Sequence, residues 1–226
     1  MSDGPRRFEH EDLREQDFQH ADLADAVFVD CRLAGARFRG ADLTGARFTG
    51  CRGWEADAPA GTDFAFATLN EASFERCELS MAVFSRARGY DLLLDECQAQ
   101  GADFSHLDTR MPVATRIPTV ACTLRGCNLA YADLSGVDLS GADLSGSRLT
   151  EAVLDDCSLR DADLSGCDLH NLSGRRLVLA GADLRGATFN CLDPRLLDLS
   201  GVRITPEQVP MLLAPLGVII DVSATA

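Results

Sequence analysis

A large apolar residue at every fifth position is the feature that most restricts what this chain can become. From Phe8 the series runs through Leu13, Phe18, Leu23, Phe28, Leu33, Phe38, Leu43 and Phe48 without a lapse. It resumes one residue out of phase at Phe64 and passes Leu69, Phe74, Leu79 and Phe84. It then reaches Leu94 and Phe104, with small residues at Gly89 and Ala99. A third run occupies every fifth position from Leu124 to Leu169. After Gly174 the series returns at Leu179, Leu184, Phe189, Leu199 and Ile204. Two residues before each of these centres the side chain is small, as at Ala21, Ala26, Cys31 and Ala36. One residue before, Asp recurs, as at Asp12, Asp22, Asp42, Asp133 and Asp163.

A period of five fits neither the 3.6-residue turn of an α-helix nor the two-residue alternation of a strand. Glycines every few residues between Leu134 and Leu149 also argue against a long helix. A chain that turns by about 90° every five residues does fit, with coils stacked about 4.8 Å apart through backbone hydrogen bonds. The expected fold is an all-β solenoid, a right-handed quadrilateral β-helix. Phe8, Phe28 and Phe48 should stack on one side and Phe18 and Phe38 on the opposite side, because a narrow interior tolerates neither voids nor overpacking.

The cysteines obey the same register. Cys31, Cys51, Cys77, Cys97, Cys122, Cys127, Cys157 and Cys167 all fall two residues before a centre or its in-phase equivalent, and Cys191 does not. Cysteine packs as a small apolar residue, so these read as core fillers rather than as a disulfide framework or a metal site. No metal and no cofactor are expected.

Two interruptions break the period. Phe48 and Phe64 are 16 residues apart, one more than three repeats. If Gly53 is a centre and six residues project, the later Phe residues return to a Phe side; the expectation is therefore a loop over about 53–61. It contains the only Trp of the chain, Trp54, with Glu55 and Asp57. Trp favours binding hot spots, so Trp54 reads as a recognition residue, with a buried anchor as the other reading. The second break, over about 109–121, holds two prolines that cannot donate to a ladder, Pro112 and Pro118. Arg110, Met111, Arg116 and Ile117 are its candidate contact residues. A loop of this length inside a compact solenoid is usually either functional or disordered, and this one reads as functional.

The regular array is expected to span residues 1–204, with a cap over 205–226. Thr205-Pro206-Glu207-Gln208 reads as a helix start, and the helix should run through Met211, Leu212 and Leu213 and stop near Gly217. With Leu216, Val218 and Ile219 the tail is apolar enough to suggest a twofold dimer interface rather than a monomeric cap.

The 226 residues carry a net charge of −14, which argues against non-specific nucleic-acid binding and favours a basic partner surface. No apolar run is long enough for a membrane span. The polar start from Met1 to Glu9 lacks the apolar stretch of a signal peptide, which places the chain in the cytoplasm. The motifs of nucleotide-binding loops, zinc proteases and serine hydrolases are absent, and the carboxylates are dispersed over an outer surface instead of paired in a cleft. The chain therefore reads as a binding protein, not an enzyme.

Several segments give this a more specific cast. Ala142-Asp143-Leu144-Ser145-Gly146 is a pentapeptide repeat in its usual form. Cys77-Glu78-Leu79-Ser80-Met81-Ala82 and Ala99-Gln100-Gly101-Ala102-Asp103-Phe104 resemble hexapeptides of the Qnr-type pentapeptide-repeat proteins of quinolone resistance. The two interruptions are placed like that family's smaller and larger loops, and Leu212 to Val218 is similar to its terminal segment. The resemblance implies a rod-shaped dimer joined at the C-termini. It also implies binding to the bacterial type II topoisomerases, DNA gyrase and topoisomerase IV, as a DNA mimic that protects them from quinolones. A repeat scaffold with another macromolecular partner is the alternative, because a fold does not fix a function.

Overall fold

In the computed structural model, which describes residues 5–58, 60–110, 122–190 and 192–218, the five-residue period becomes a β-helix. Strands β1 (Arg7–Glu9), β2 (Val27–Val29), β3 (Arg47–Thr49), β4 (Ser73–Glu75), β5 (Leu92–Asp95) and β6 (Cys122–Arg125) form one parallel sheet in sequential order. A second parallel pair joins β7 (Asp168–Leu169) to β8 (Thr188–Phe189). Single parallel bridges complete three further ladders, beginning at Asp12↔Arg32, Asp17↔Arg37 and Asp22↔Asp42. Each 20-residue coil thus contributes a rung at every fifth residue.

Phe8 pairs with Phe28, and Phe28 with Phe48, at 20-residue intervals; Phe48 then pairs with Phe74, 26 positions on, and Leu94 with Leu124, 30 positions on. Those two coils are therefore six and ten residues longer than the others, and the register is regained behind each insertion.

Packing explains why the register survives. Phe8, Phe28, Phe48 and Phe74 stack at centroid distances of 4.5–4.7 Å. Phe18, Phe38, Phe64, Phe84 and Phe104 form a second column at 4.7–5.1 Å. The columns meet edge to face, as at Phe28–Phe38, 5.8 Å and 90°. Both arrangements suit the ring quadrupole. Beyond Phe104 leucines take over, from Leu124 to Leu184, almost all fully buried.

The corners have a repeated solution. The third residue after a centre returns an N–H to the centre's carbonyl, as Ala26 does to Leu23 at 3.0 Å. The residue between takes a left-handed conformation, at nineteen described non-glycine positions as well as at glycines. The Asp before the centre accepts the N–H two residues on; Asp42 takes it from Thr44 at 3.0 Å and Asp143 from Ser145 at 2.9 Å. The recurrent Asp is therefore a turn residue.

Eight cysteines are free and buried. Burial pushes the thiols of Cys122, Cys157 and Cys167 up to about 12, so they behave as inert fillers. Cys191 lies outside the described residues.

The C-terminal end closes on a glutamine. A 3-10 turn, Pro206–Gln208, leads into α1 (Val209–Leu213) and a second 3-10 turn, Ala214–Leu216, ending at Gly217 with φ 72°. Gln208 Oε1 accepts the Thr205 N–H at 2.7 Å. Its amide donates to the carbonyls of Leu184 at 2.6 Å and Ala187 at 2.7 Å, pinning the helix start to the last coils.

One buried carboxylate makes the end acid-sensitive. Asp183 is 4% exposed; Arg185 donates to it at 2.7 Å and Arg203 lies 3.5 Å away. The hydrogen bond from Arg185 holds its carboxyl down at about 2. A carboxyl depressed in the folded state contributes stability above its unfolded value of about 3.9 and loses it as the pH falls toward the folded one. Urea denaturation between pH 5 and 2 should show this decline, and Asp183→Asn should make it less steep, leaving the part due to the other depressed carboxyls. An unchanged profile would contradict the assignment.

Candidate macromolecule-binding surface

The first insertion is a built loop. Gly53 holds a centre position in the core; its N–H donates to Glu78 O at 2.6 Å and its carbonyl accepts from Thr62 N at 2.9 Å. Thr62 Oγ1 donates to the carbonyls of Gly53 and Leu33, both at 3.0 Å. These bonds tie exit and return together, so the extra residues project while the coil stays closed. Gly61 is required at the return: a Cβ there would lie 2.5 Å from the Met81 carbonyl oxygen.

The loop is clamped onto the N-terminal coils. Glu55 accepts from Arg32 Nε at 2.7 Å and Nη2 at 2.5 Å, with Arg14 Nη1 at 3.6 Å. Only 15% of its side chain is exposed, and the Arg32 guanidinium holds its carboxyl below the usual range. Asp12 completes the cluster and is held at about 2 by its hydrogen bond from Arg14. Asp57 is exposed at the tip of the loop and lines, with Asp12, Arg14 and Glu55, a polar cleft of about 530 Å³. Trp54 is half-buried and faces the other way, into a groove with Ser80, Met81, Gln100, Gly101 and Tyr131. The structure thus separates the three candidate residues of this loop: Glu55 holds it in place, Asp57 faces solvent and Trp54 lines a groove.

At the second insertion Thr109 is buried and its hydroxyl donates to Asp138 O at 2.5 Å. Arg110 is exposed and paired with Asp108 at 2.8 Å. Met111, Arg116 and Ile117 lie outside the described residues. At the C-terminal end Met211 and Leu212 pack on the core, Leu213 is half-buried, and Leu216 and Val218 are 43% and 47% exposed; Ile219 lies outside the described residues.

Sequence reasoning missed the groove and the arginine clamp. The groove had a signal: Met81 and Tyr131, like Phe66 elsewhere, occupy the left-handed corner position, where the other described residues are Gly or polar. The clamp had none, because Arg14, Arg32 and Glu55 meet only once three coils are stacked.

No described helix is long and apolar enough to cross a membrane, and no group of His, Cys, Asp and Glu among the described residues could hold a metal. One side of the rod is notably acidic. The side built on Leu23, Leu43 and Leu69 presents Asp22, Asp25, Asp42, Glu71, Asp91 and Asp108, with Arg88 and Arg110 as the cations between them.

Comparison with known proteins agrees with this architecture. A family model described as pentapeptide repeats matches in eight copies over residues 12–52, 120–156 and 152–190. The quinolone resistance pentapeptide repeat protein QnrB96 of Scandinavium goeteborgense is 34% identical over 67 residues, 30% of this chain and 31% of that protein. The pentapeptide repeat protein QnrB4 of Escherichia coli is 32% identical over 66 residues, 29% of this chain and 31% of that protein. Each match thus spans under a third of the relative's length. Full-length QnrB1, whose structure is described as that of a plasmid-mediated fluoroquinolone resistance protein, superposes with a TM-score of 0.86 at 28% identity, over 94% of this chain and 100% of that one. A trypsin-treated variant of QnrB1 gives 0.81 at 28% identity, over 96% and 99%.

Proposed function

The chain is a pentapeptide-repeat protein resembling the Qnr-type quinolone-resistance family, and from that premise we propose that it confers quinolone resistance by binding DNA gyrase and topoisomerase IV. It does so as a right-handed, four-sided rod that occupies the position of a DNA segment and carries out no chemistry of its own. About nine steps of about 4.8 Å between Phe8 and Ile204 give a monomer of roughly 43 Å. Residues 205–226 act as the dimerisation cap, through Met211, Leu212, Leu213, Leu216, Val218 and Ile219, and double that length. The setting is cytoplasmic, where these enzymes work.

The observation that carries the reading is the pair of insertions with closed registers of 26 and 30. A scaffold with no partner to discriminate has no need to keep two insertions while holding its coils in phase. The acidic side supplies long-range attraction to a basic DNA-binding surface. Arginines are interspersed with the acids, so the charge density is well below that of a duplex. Specificity therefore comes from Trp54 and Asp57 on one loop, which Glu55 holds in place, and from Arg110, Met111, Arg116 and Ile117 on the other.

A gyrase supercoiling assay with ciprofloxacin tests this. Added protein should restore supercoiling at drug concentrations that otherwise stop it. Supercoiling that the protein neither restores nor inhibits would leave the alternative of a scaffold with a different partner.

A further inference from the structure

We propose that the groove beside the first loop is a socket for an arginine side chain of the protein partner. This deepens the reading of the chain as a protein-binding rod and does not depend on which protein is bound. The groove is lined by Trp54, Ser80, Met81, Gln100, Gly101 and Tyr131 and encloses about 350 Å³. Its residues come from four successive coils, brought into line by the register shifts of 26 and 30. Four of the six belong to the two hexapeptides, 77–82 and 99–104, that distinguish this chain from a plain repeat array.

Two of its walls stand in conformations that large apolar residues rarely adopt. Met81 has φ 57° and Tyr131 φ 62°, and they are 55% and 52% exposed. Of the nineteen described non-glycine residues in that conformation, sixteen are polar; only Phe66, Met81 and Tyr131 are large and apolar. Exposed apolar bulk at a strained corner contributes nothing to the core, and strain of this kind collects at binding sites. Gly101, between them in the stack, leaves the slot open: a Cβ there would come 2.8 Å from the Met81 sulfur, so the thioether lies across the floor.

Charge selects the occupant. The outward positions bordering the slot carry Glu78, Asp103, Asp133 and Glu151, against the two cations Arg52 and Arg148. Glu151 accepts the Tyr131 hydroxyl at 3.3 Å, Glu78 the Ser80 N–H at 2.9 Å, and Arg148 is directed toward Thr150 and Asp168. An apolar slot with aromatic walls and an excess of carboxylates at its rim suits a cation that stacks. Among side chains that is arginine, whose planar, weakly hydrated guanidinium lies on aromatic faces while its N–H groups reach acceptors such as the Gln100 amide oxygen.

The single Trp makes the test direct, because Trp54 emission reports on the groove alone. The full chain is titrated with N-acetyl-arginine amide and, separately, with the lysine, citrulline and leucine amides. The arginine compound should give a saturable change in emission, at least about fivefold tighter than neutral, near-isosteric citrulline. Tyr131→Ser should weaken it about fivefold while leaving the thermal transition in place, and Gly101→Ala, which fills the slot, should weaken it further. Leucine amide binding as tightly as arginine amide, or no saturable change with arginine, would overturn the proposal. The supercoiling assay reads a separate quantity. Arginine binding without protection would retire the topoisomerase reading and keep the socket; protection without arginine binding would do the reverse.

Discussion

Replacing Phe64 by alanine is expected to remove about 3–5 kcal/mol of stability, the range for deleting a buried aromatic side chain. Phe64 is fully buried, stacked between Phe38 at 5.1 Å and Phe84 at 5.0 Å, and edge-on to Phe48 at 5.8 Å and Phe74 at 5.4 Å. The cavity cannot collapse, because the stacking distance is set by backbone ladders on every side. A stacked array is coupled coil to neighbouring coil, so the lesion should also loosen the N-terminal coils from the rest. Urea denaturation should then show a broadened or two-step transition. The same change at Phe8, half-buried at the end of its column, should cost no more than about 2 kcal/mol and leave a single transition. Equal losses at the two sites would mean that stacking depth does not govern stability.

Excising the insertions separates fold from function. Removing residues 55–60 joins Trp54 to Gly61, and removing 111–120 joins Arg110 to Ala121. Either deletion restores five-residue spacing, from Gly53 to Phe64 and from Thr109 to Leu124, with the flanking coils already in register. Stability should change by no more than about 1 kcal/mol. The 55–60 deletion removes Glu55 together with the loop that it holds, the arginines left behind, Arg32 and Arg14, are 39% and 36% exposed and return to water, and shorter closures cost slightly less entropy. Quinolone protection, by contrast, should fall at least tenfold for the 55–60 deletion and vanish for the 111–120 deletion. Full protection by either folded variant would contradict the assignment of specificity to that loop.

How far this was readable in the sequence depended on whether an interaction is local to one repeat. The centres, the small residues before them and the turn Asp recur every five residues. A single coil's chemistry was therefore visible many times over, and the two Phe columns followed from the 20-residue return. Thr205-Pro206 and Gln208 announced a helix start by local capping rules. The second role of Gln208, its amide on the carbonyls of Leu184 and Ala187, was not legible, because it depends on how the helix docks onto the last coils. The same holds for Trp54, Met81 and Tyr131. They are far apart along the chain, and only the two irregular registers carry them to one groove. Reading the corner position for misplaced apolar residues would have singled out Met81 and Tyr131 together with Phe66, which lies outside the groove, though not their neighbour Trp54.

Binding of this rod to a type II topoisomerase at the place of a DNA segment can be read by competition. Fluorescently labelled linear duplex bound to DNA gyrase is titrated with the protein while its anisotropy is followed. The anisotropy should fall to that of free DNA as the protein saturates, with the 111–120 deletion displacing far less. Duplex that stays bound at saturating protein would contradict it.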